Sequence, residues 1–231
     1  MLSVSLAGCK PSKDKNDVLQ SGIHANDPSS SGMEMDEKMY TVLELCGRNL
    51  LNYFHAKMEE LQDTSSKNNF IMKILKSAAI AIKQLHDKDN FVLGYKSNQT
   101  QIVTRPVINL KLIDFNSSVI NGMYIDRVQL TTMNSILKPP ELVENNIGNV
   151  SKSADIWAFG LMSYEIVHRR LPNERSDLLE ALGSYRNNHS YNSRLDILIK
   201  QCIAVDPNER PDIDQILYGI NEILRREDEH Q

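Results

Sequence analysis

The sequence predicts an α+β fold in which a small strand region precedes a mainly helical body. Short β-branched or alternating apolar runs stand in the first half of the chain, and the second half shows helical periodicity. The 231 residues are 41% hydrophobic and 24% charged, which is ordinary for a globular protein. A core large enough for one domain is therefore expected.

The N-terminal part contains two predicted strands and a polar insert. Residues 2–6 alternate Ser with Leu and Val, and residues 39–46 form a β-branched apolar run; both patterns are typical of strands. Residues 10–37 are dominated by Lys, Asp, Asn, Ser, Gly and Pro and have few apolar side chains to bury, so we expect a disordered insert. The expected divisions are a strand at 1–9, the insert at 10–37, the domain at 38–226 and a tail at 227–231.

The middle of the chain predicts two helices and a hairpin. A short helix begins near residue 49, and residues 69–86 have an apolar face typical of an amphipathic helix. That face comprises Ile71, Ile74, Leu75, Ala78, Ile82 and Leu85. The runs "QIV" and "INLKLIDF" indicate two paired strands that meet at Arg105-Pro106. Residues 116–138 show neither the strand period nor the helix period, so they predict a long loop.

A buried helix and three further helices are predicted for the C-terminal part. Ser153 is a candidate N-cap, and residues 156–162 are apolar on all sides apart from Gly160. A helix that is apolar all round is buried on all sides. The three further helices are predicted at 176–185, 193–204 and 211–226, the last with Pro211 in its first turn.

Charge and cysteine content exclude several functional classes. The net charge is −4 and the pI about 5.9, so no basic field attracts nucleic acid or anionic membranes. Cys9, Cys46 and Cys202 are too widely spaced for a disulfide framework or a metal knuckle. No run reaches the roughly 18 apolar residues of a membrane span. We expect an intracellular protein, cytoplasmic or nuclear, with no nucleic-acid or membrane partner.

Several short motifs, in order along the chain, resemble those of the eukaryotic protein kinase superfamily. Asp114-Phe115-Asn116 is similar to the metal-binding Asp-Phe-Gly triplet, and Pro139-Pro140-Glu141 to the Ala-Pro-Glu that closes the activation segment. The run from Asp155 to Gly160, which includes Trp157, resembles the buried central helix of that family. Arg210 in "DPNERP" resembles the arginine that pairs with the Glu141 position, and "YTVLELCG" resembles the last N-lobe strand and the hinge.

This resemblance implies a kinase-like fold over about residues 39–224, with a helical C-lobe and a remnant of N-lobe strands. It implies an adenine site near Glu44 and Cys46 and a magnesium ligand at Asp114. It further implies a structural ion pair between Glu141 and Arg210, with Asp155 capping the central helix. We expect the chain to begin inside the N-lobe, without the Gly-rich loop, the phosphate-binding lysine and its glutamate partner.

The catalytic base of a kinase has no counterpart at the expected position. A kinase uses an acid to accept the proton of the substrate hydroxyl, and spacing from Leu85-His86 puts it at Gly94 or Tyr95. No Asp or Glu occurs between Asp89 and Asp114. Tyrosine, with a pKa near 10, is neutral at working pH. Loss of such a group costs about 10²–10⁴-fold in rate, so we expect no phosphotransfer.

Two functional hypotheses follow from the missing acid. The first is a pseudokinase, a scaffold whose protein partner binds the activation segment or the helices at 176–204. ATP and Mg²⁺ would then bind weakly, because one carboxylate without phosphate-holding groups is a poor magnesium site. The alternative is a fragment of a protein kinase, of the Ser/Thr rather than the Tyr type, that binds ATP and phosphorylates proteins. A third hypothesis, an active kinase that combines Asp114 with an unorthodox base, remains open.

Overall fold

The computed structural model describes residues 50–88, 100–105, 107–112, 135–144, 151–168 and 171–228. Its α-helices are α1 (Leu50–Glu60), α2 (Thr64–His86), α3 (Pro140–Glu144), α4 (Lys152–His168), α5 (Arg175–Asn187), α6 (Arg194–Cys202) and α7 (Ile213–Asp228). Its strands are β1 (Thr100–Arg105) and β2 (Val107–Leu112), and a 3₁₀ turn spans Pro207–Glu209. The strands predicted at 2–6 and 39–46, the insert at 10–37 and most of the loop at 116–138 lie outside the described residues.

Helices α1 and α2 confirm the two helices predicted in the middle of the chain. The second helix begins five residues before the predicted start, because Asp63 caps it by accepting a hydrogen bond from Ser66 N at 2.7 Å. Its first turn is polar and therefore carries no apolar periodicity. Phe54 of α1 stacks on Phe70 of α2 with ring centroids 6.0 Å apart.

The predicted hairpin is also confirmed. Strands β1 and β2 pair antiparallel, with a register that runs from Thr100 opposite Leu112 to Arg105 opposite Val107. β2 packs against α2, and Leu110 enters the main core. The hairpin therefore lies against the long helix whose end carries His86.

Helix α4 is the centre of the helical body. Its residues from Ala154 to Ser163 are all buried, because one side packs into a core with α2 and α7 and the other into a core with α5 and α6. The helix begins at Lys152, so Ser153 lies in the first turn instead of at the N-cap. Although α4 is apolar, no helix of the described residues is long and apolar enough to cross a membrane.

The last two helices begin with side-chain caps. Ser193 and Asp196 form a capping box at the start of α6. At α7, Gln215 N donates to Asp212 Oδ1 at 2.8 Å while Asp212 N donates to Gln215 Oε1 at 2.9 Å. Pro211 therefore precedes the helix, contrary to its predicted place in the first turn, and α7 continues through Asp228 into the predicted tail.

One face of α7 contacts the main core from Ile213 to Leu224. Ile213, Ile216 and Ile220 are buried, and three further side chains pack against them partly exposed: Leu217, Ile223 and Leu224. The helix lies against α2.

Candidate functional site

The predicted nucleotide, metal and base positions lie outside the described residues. These are Glu44 and Cys46 of the hinge, Gly94 and Tyr95 at the base position, and Asp114. Their roles stay predictions. The described residues include four parts that contact one another, here called the frame: the end of α2, the start of α4, the segment 135–144 and the loop before α7.

A buried hydrogen bond joins the end of α2 to the start of α4. His86 is 4% exposed and Asp155 is 2% exposed, and His86 Nε2 lies 2.9 Å from Asp155 Oδ2. A histidine ring nitrogen can donate or accept according to its tautomer, so the distance establishes the hydrogen bond and not its direction. In the sequence, His86 only marked the point from which the base position was counted and Asp155 was expected to cap the central helix, so the two were not paired.

Lys152 provides a second link at the same place. Its ammonium donates to the backbone oxygen of His86 at 2.6 Å, so it satisfies a carbonyl at the C-terminus of α2, where cations are favoured. The residue that begins α4 therefore also fixes the point where the chain leaves α2. The segment that contains Gly94 and Tyr95 begins a few residues later.

Glu141 and Arg210 form a bidentate ion pair. Arg210 Nη1 and Nη2 donate to Glu141 Oε1 and Oε2, both at 2.7 Å. The Arg210 side chain is fully buried, whereas that of Glu141 is 21% exposed. The guanidinium also donates to backbone oxygens of the residues around it: Ser153, Ala204 and Val205. One arginine thus connects α3, the start of α4 and the loop before α7.

Trp157 and Gly160 set the packing around this pair. The Arg210 guanidinium lies over the Trp157 ring, 5.1 Å from its centroid, and the indole N–H donates to Leu137 O at 3.2 Å. A Cβ on Gly160 would lie 2.7 Å from Ile203 Cγ2 and 2.8 Å from Cys202 Cβ. No side chain larger than hydrogen fits between α4 and the end of α6.

Arg175 holds the segment that leads into α3, and sequence reasoning missed it. Its Nη1 lies within hydrogen-bond distance of three backbone oxygens, at 3.0 Å from Ser135 O, 3.0 Å from Ile136 O and 2.8 Å from Lys138 O. No local motif marks this contact, because the partners are backbone atoms nearly 40 residues away.

A cluster of aromatic and acidic groups joins α4, α5 and α6. Tyr185 OH donates to Asp196 Oδ1 at 2.8 Å, and His168 Nε2 lies 3.6 Å from the same oxygen. Burial alone would raise the pKa of Asp196, but hydrogen bonds from Ser193 and Tyr185 hold it below its ordinary value. Burial lowers the pKa of His168 despite the nearby carboxylate. The spacing of Ser193 and Asp196 was the only sequence signal for this cluster.

The comparison with known families decides the family of the chain. A protein kinase domain profile matches residues 29–219. The chain belongs to the protein kinase family. In this kinase domain the described frame anchors the start of the segment expected to be the catalytic loop and the end of the activation segment.

Similar proteins include kinases and one cyclase. The serine/threonine-protein kinase MPS1 of Encephalitozoon cuniculi (strain GB-M1) is 30% identical over 72% of this chain and 30% of its own length. The serine/threonine-protein kinase AKL1 of Saccharomyces cerevisiae is 27% identical over 80% of this chain and 18% of its own length. The receptor-type guanylate cyclase gcy-6 of Caenorhabditis elegans is 25% identical over 84% of this chain and 19% of its own length. The kinase domain thus spans under a third of each relative.

Proposed function

We propose that this kinase domain is catalytically impaired and acts as a scaffold for a protein partner. The observation that carries the proposal is the absence of any Asp or Glu between Asp89 and Asp114, where a kinase has its base. No further sequence upstream of Met1 would restore that carboxylate. The anchors on either side are intact, since His86 contacts Asp155 and Glu141 contacts Arg210.

The contrast between the retained anchors and the missing acid supports a binding role. Buried ion pairs and carbonyl contacts stabilise the shape of the lobe, and a binding surface requires that shape. Phosphotransfer additionally requires a group that accepts the hydroxyl proton, and that group must carry the right charge at working pH. Fold similarity alone does not transfer chemistry from one site to another.

The second candidate is an active serine/threonine kinase that uses an acid from elsewhere. Similarity to proteins named serine/threonine-protein kinases favours it. In that case Asp114 would hold Mg²⁺, and its removal would abolish transfer.

A phosphotransfer assay separates the two candidates. The purified chain is incubated with ATP, Mg²⁺ and a mixture of Ser/Thr-rich proteins, next to the Asp114→Ala variant as a control for contaminating kinases. We expect equal background for both proteins. Transfer that survives repurification and disappears in Asp114→Ala would overturn the proposal.

Thermal stability of the same samples measures nucleotide binding. A ligand that binds only the folded state adds about 2.7 kcal/mol at 100 times its Kd. For a scaffold that does not depend on nucleotide we expect no increase in Tm at millimolar ATP. An increase that is lost in Asp114→Ala would indicate a nucleotide-dependent scaffold and would contradict the expected weak binding.

A further inference from the structure

Lys138 and Arg175 form a cation pair at the end of the activation segment. The Arg175 guanidinium contacts the backbone oxygens of Ser135, Ile136 and Lys138 through Nη1. The segment from Ser135 to Lys138 therefore curves around the Arg175 guanidinium, and Lys138 lies beside Arg175. Leu137, just before Lys138, is buried, and its backbone oxygen accepts the Trp157 hydrogen bond. This segment therefore cannot shift away from α5 without disturbing the core.

Neither cation has an anionic partner within the described part of the chain. The Lys138 side chain is half-buried, and its ammonium makes no hydrogen bond or ion pair within the described residues. The carboxylates closest to Arg175 in sequence, Glu174 and Asp177, form no ion pair with it, and Asp177 instead accepts from the Ser176 hydroxyl at 3.1 Å. Burial, and then the Arg175 charge, hold the pKa of Lys138 below its ordinary value.

Two positive side chains that are partly buried next to each other, as Lys138 and Arg175 are, raise the free energy of the folded state unless an anion binds between them. Burial penalises each charge, and proximity adds repulsion. The Lys138 ammonium has three donors, and the Nε and Nη2 donors of Arg175 find no acceptor among the described residues. A carboxylate bound here would remove the repulsion and gain charge-assisted hydrogen bonds.

An apolar side chain next to the cations adds to the surface. Leu179 is 40% exposed and stands four residues after Arg175 in α5, so both lie on the same face of the helix. A bound segment would thus meet positive charge and apolar surface together.

We propose that this kinase domain binds an acidic segment of a partner protein, with a carboxylate held between Lys138 and Arg175 and an apolar residue against Leu179. The proposal rests on the proposed function only in that the bound segment belongs to a partner and is not a phosphorylated substrate. The binding chemistry is the same in either case.

Binding of a labelled peptide tests the site. The probe is a short fluorescent peptide of Glu and Leu, and the control is the same peptide with Gln for each Glu; anisotropy is measured at low salt. We expect the Glu peptide to bind more tightly than the Gln peptide. We expect Lys138→Gln to weaken that binding by about 5- to 10-fold, as for loss of one interfacial charge, and Lys138→Arg to retain it.

Lys73→Gln is the matched control variant. Lys73 is exposed on α2, and its replacement changes the net charge by the same amount. Because the Lys138 side chain makes no hydrogen bond among the described residues, and its backbone oxygen is unchanged by substitution, Lys138→Gln should keep the Tm of the parent. Weaker binding would then not reflect unfolding. An equal loss of affinity in Lys73→Gln and Lys138→Gln, or equal affinity for the two peptides, would overturn this inference while leaving the scaffold proposal standing. Phosphotransfer by the domain would overturn the scaffold proposal without affecting the peptide result.

Discussion

His86 Nε2 and Asp155 Oδ2 lie 2.9 Å apart although 69 residues separate them in the sequence. The contact is buried, and it joins the end of one long helix to the first turn of the central one. Lys152 reinforces it by binding the His86 carbonyl oxygen. The segment in which a kinase has its base therefore follows a helix end that is fixed by buried contacts at His86.

A double-mutant cycle should show strong coupling between these two residues. We expect His86→Phe and Asp155→Asn to destabilise the domain, and the double variant to cost less than the sum, with a coupling energy of about 1–3 kcal/mol. Urea denaturation of the four proteins measures it. Strictly additive effects would show that the hydrogen bond is not the source of the stability.

Removal of the Glu141 carboxylate should destabilise the domain strongly. Glu141→Ala leaves the fully buried Arg210 guanidinium without its anion, and an orphaned buried charge costs about 3–5 kcal/mol. Because Arg210 keeps its backbone acceptors, the lower end of that range is expected. Replacement of the exposed Glu59 by Ala is the control and should change the free energy of unfolding by less than about 0.5 kcal/mol. A similar small effect at Glu141 would contradict a structural role for the pair.

Alanine at two glycines should have opposite effects. Gly160→Ala places a Cβ within 2.8 Å of Ile203 and Cys202 atoms, and overpacking of this kind costs about 1–3 kcal/mol. Gly183 lies in α5, where an added Cβ meets nothing within 4 Å, so Gly183→Ala should stabilise by about 0.5–1 kcal/mol. Thermal unfolding compares the two variants. A Tm for Gly160→Ala at or above that of the parent would show that α4 and the end of α6 separate more easily than the packing indicates.

His168 should make the domain less stable in mild acid. Burial lowers its pKa below the ordinary 6.5, so below that pH the unfolded chain binds a proton that the folded chain resists. Stability is then fully present above about pH 6.5 and is lost as pH falls through the lower folded pKa. Tm measured between about pH 7.5 and 5 should therefore fall more steeply in the parent than in His168→Phe.

Phenylalanine is the suitable replacement because it preserves the ring contacts of His168 with Tyr164 and Tyr185, at 4.9 and 4.8 Å. His168 Nε2 lies 3.6 Å from Asp196 Oδ1, so the change removes the titrating group together with its electrostatic contact to that carboxylate. Parallel Tm profiles for the two proteins would assign the acid sensitivity to other groups.

Local sequence patterns predicted the helices well and their ends less well. Helix periodicity located α2 and α7 because their apolar faces follow the 3.6-residue period. The polar first turn of α2 and the cap at Asp212 shifted both starts, since caps depend on hydrogen bonds that hydrophobicity does not record. Ser151, and not the predicted Ser153, precedes α4.

Within the candidate site, a contact could be predicted from the sequence only where family motifs identify both of the residues that form it. Glu141 and Arg210 were paired through the family resemblance, and the structure brings them to 2.7 Å. His86 and Asp155 were each noted but not paired. Arg175 was missed altogether, because its acceptors are main-chain oxygens that any residue would supply.

By itself the sequence determined the family, the positions of the principal helices and the lack of an acid between Asp89 and Asp114. These are properties of residue order and local period, which need no knowledge of distant contacts. Only the tertiary structure decided which buried polar groups meet: His86 with Asp155, Arg175 with three carbonyl oxygens, and Lys138 with no anion among the described residues. Hydrogen bonds and charge repulsion act over a few ångströms in space, and spacing along the chain does not reveal which side chains come that close.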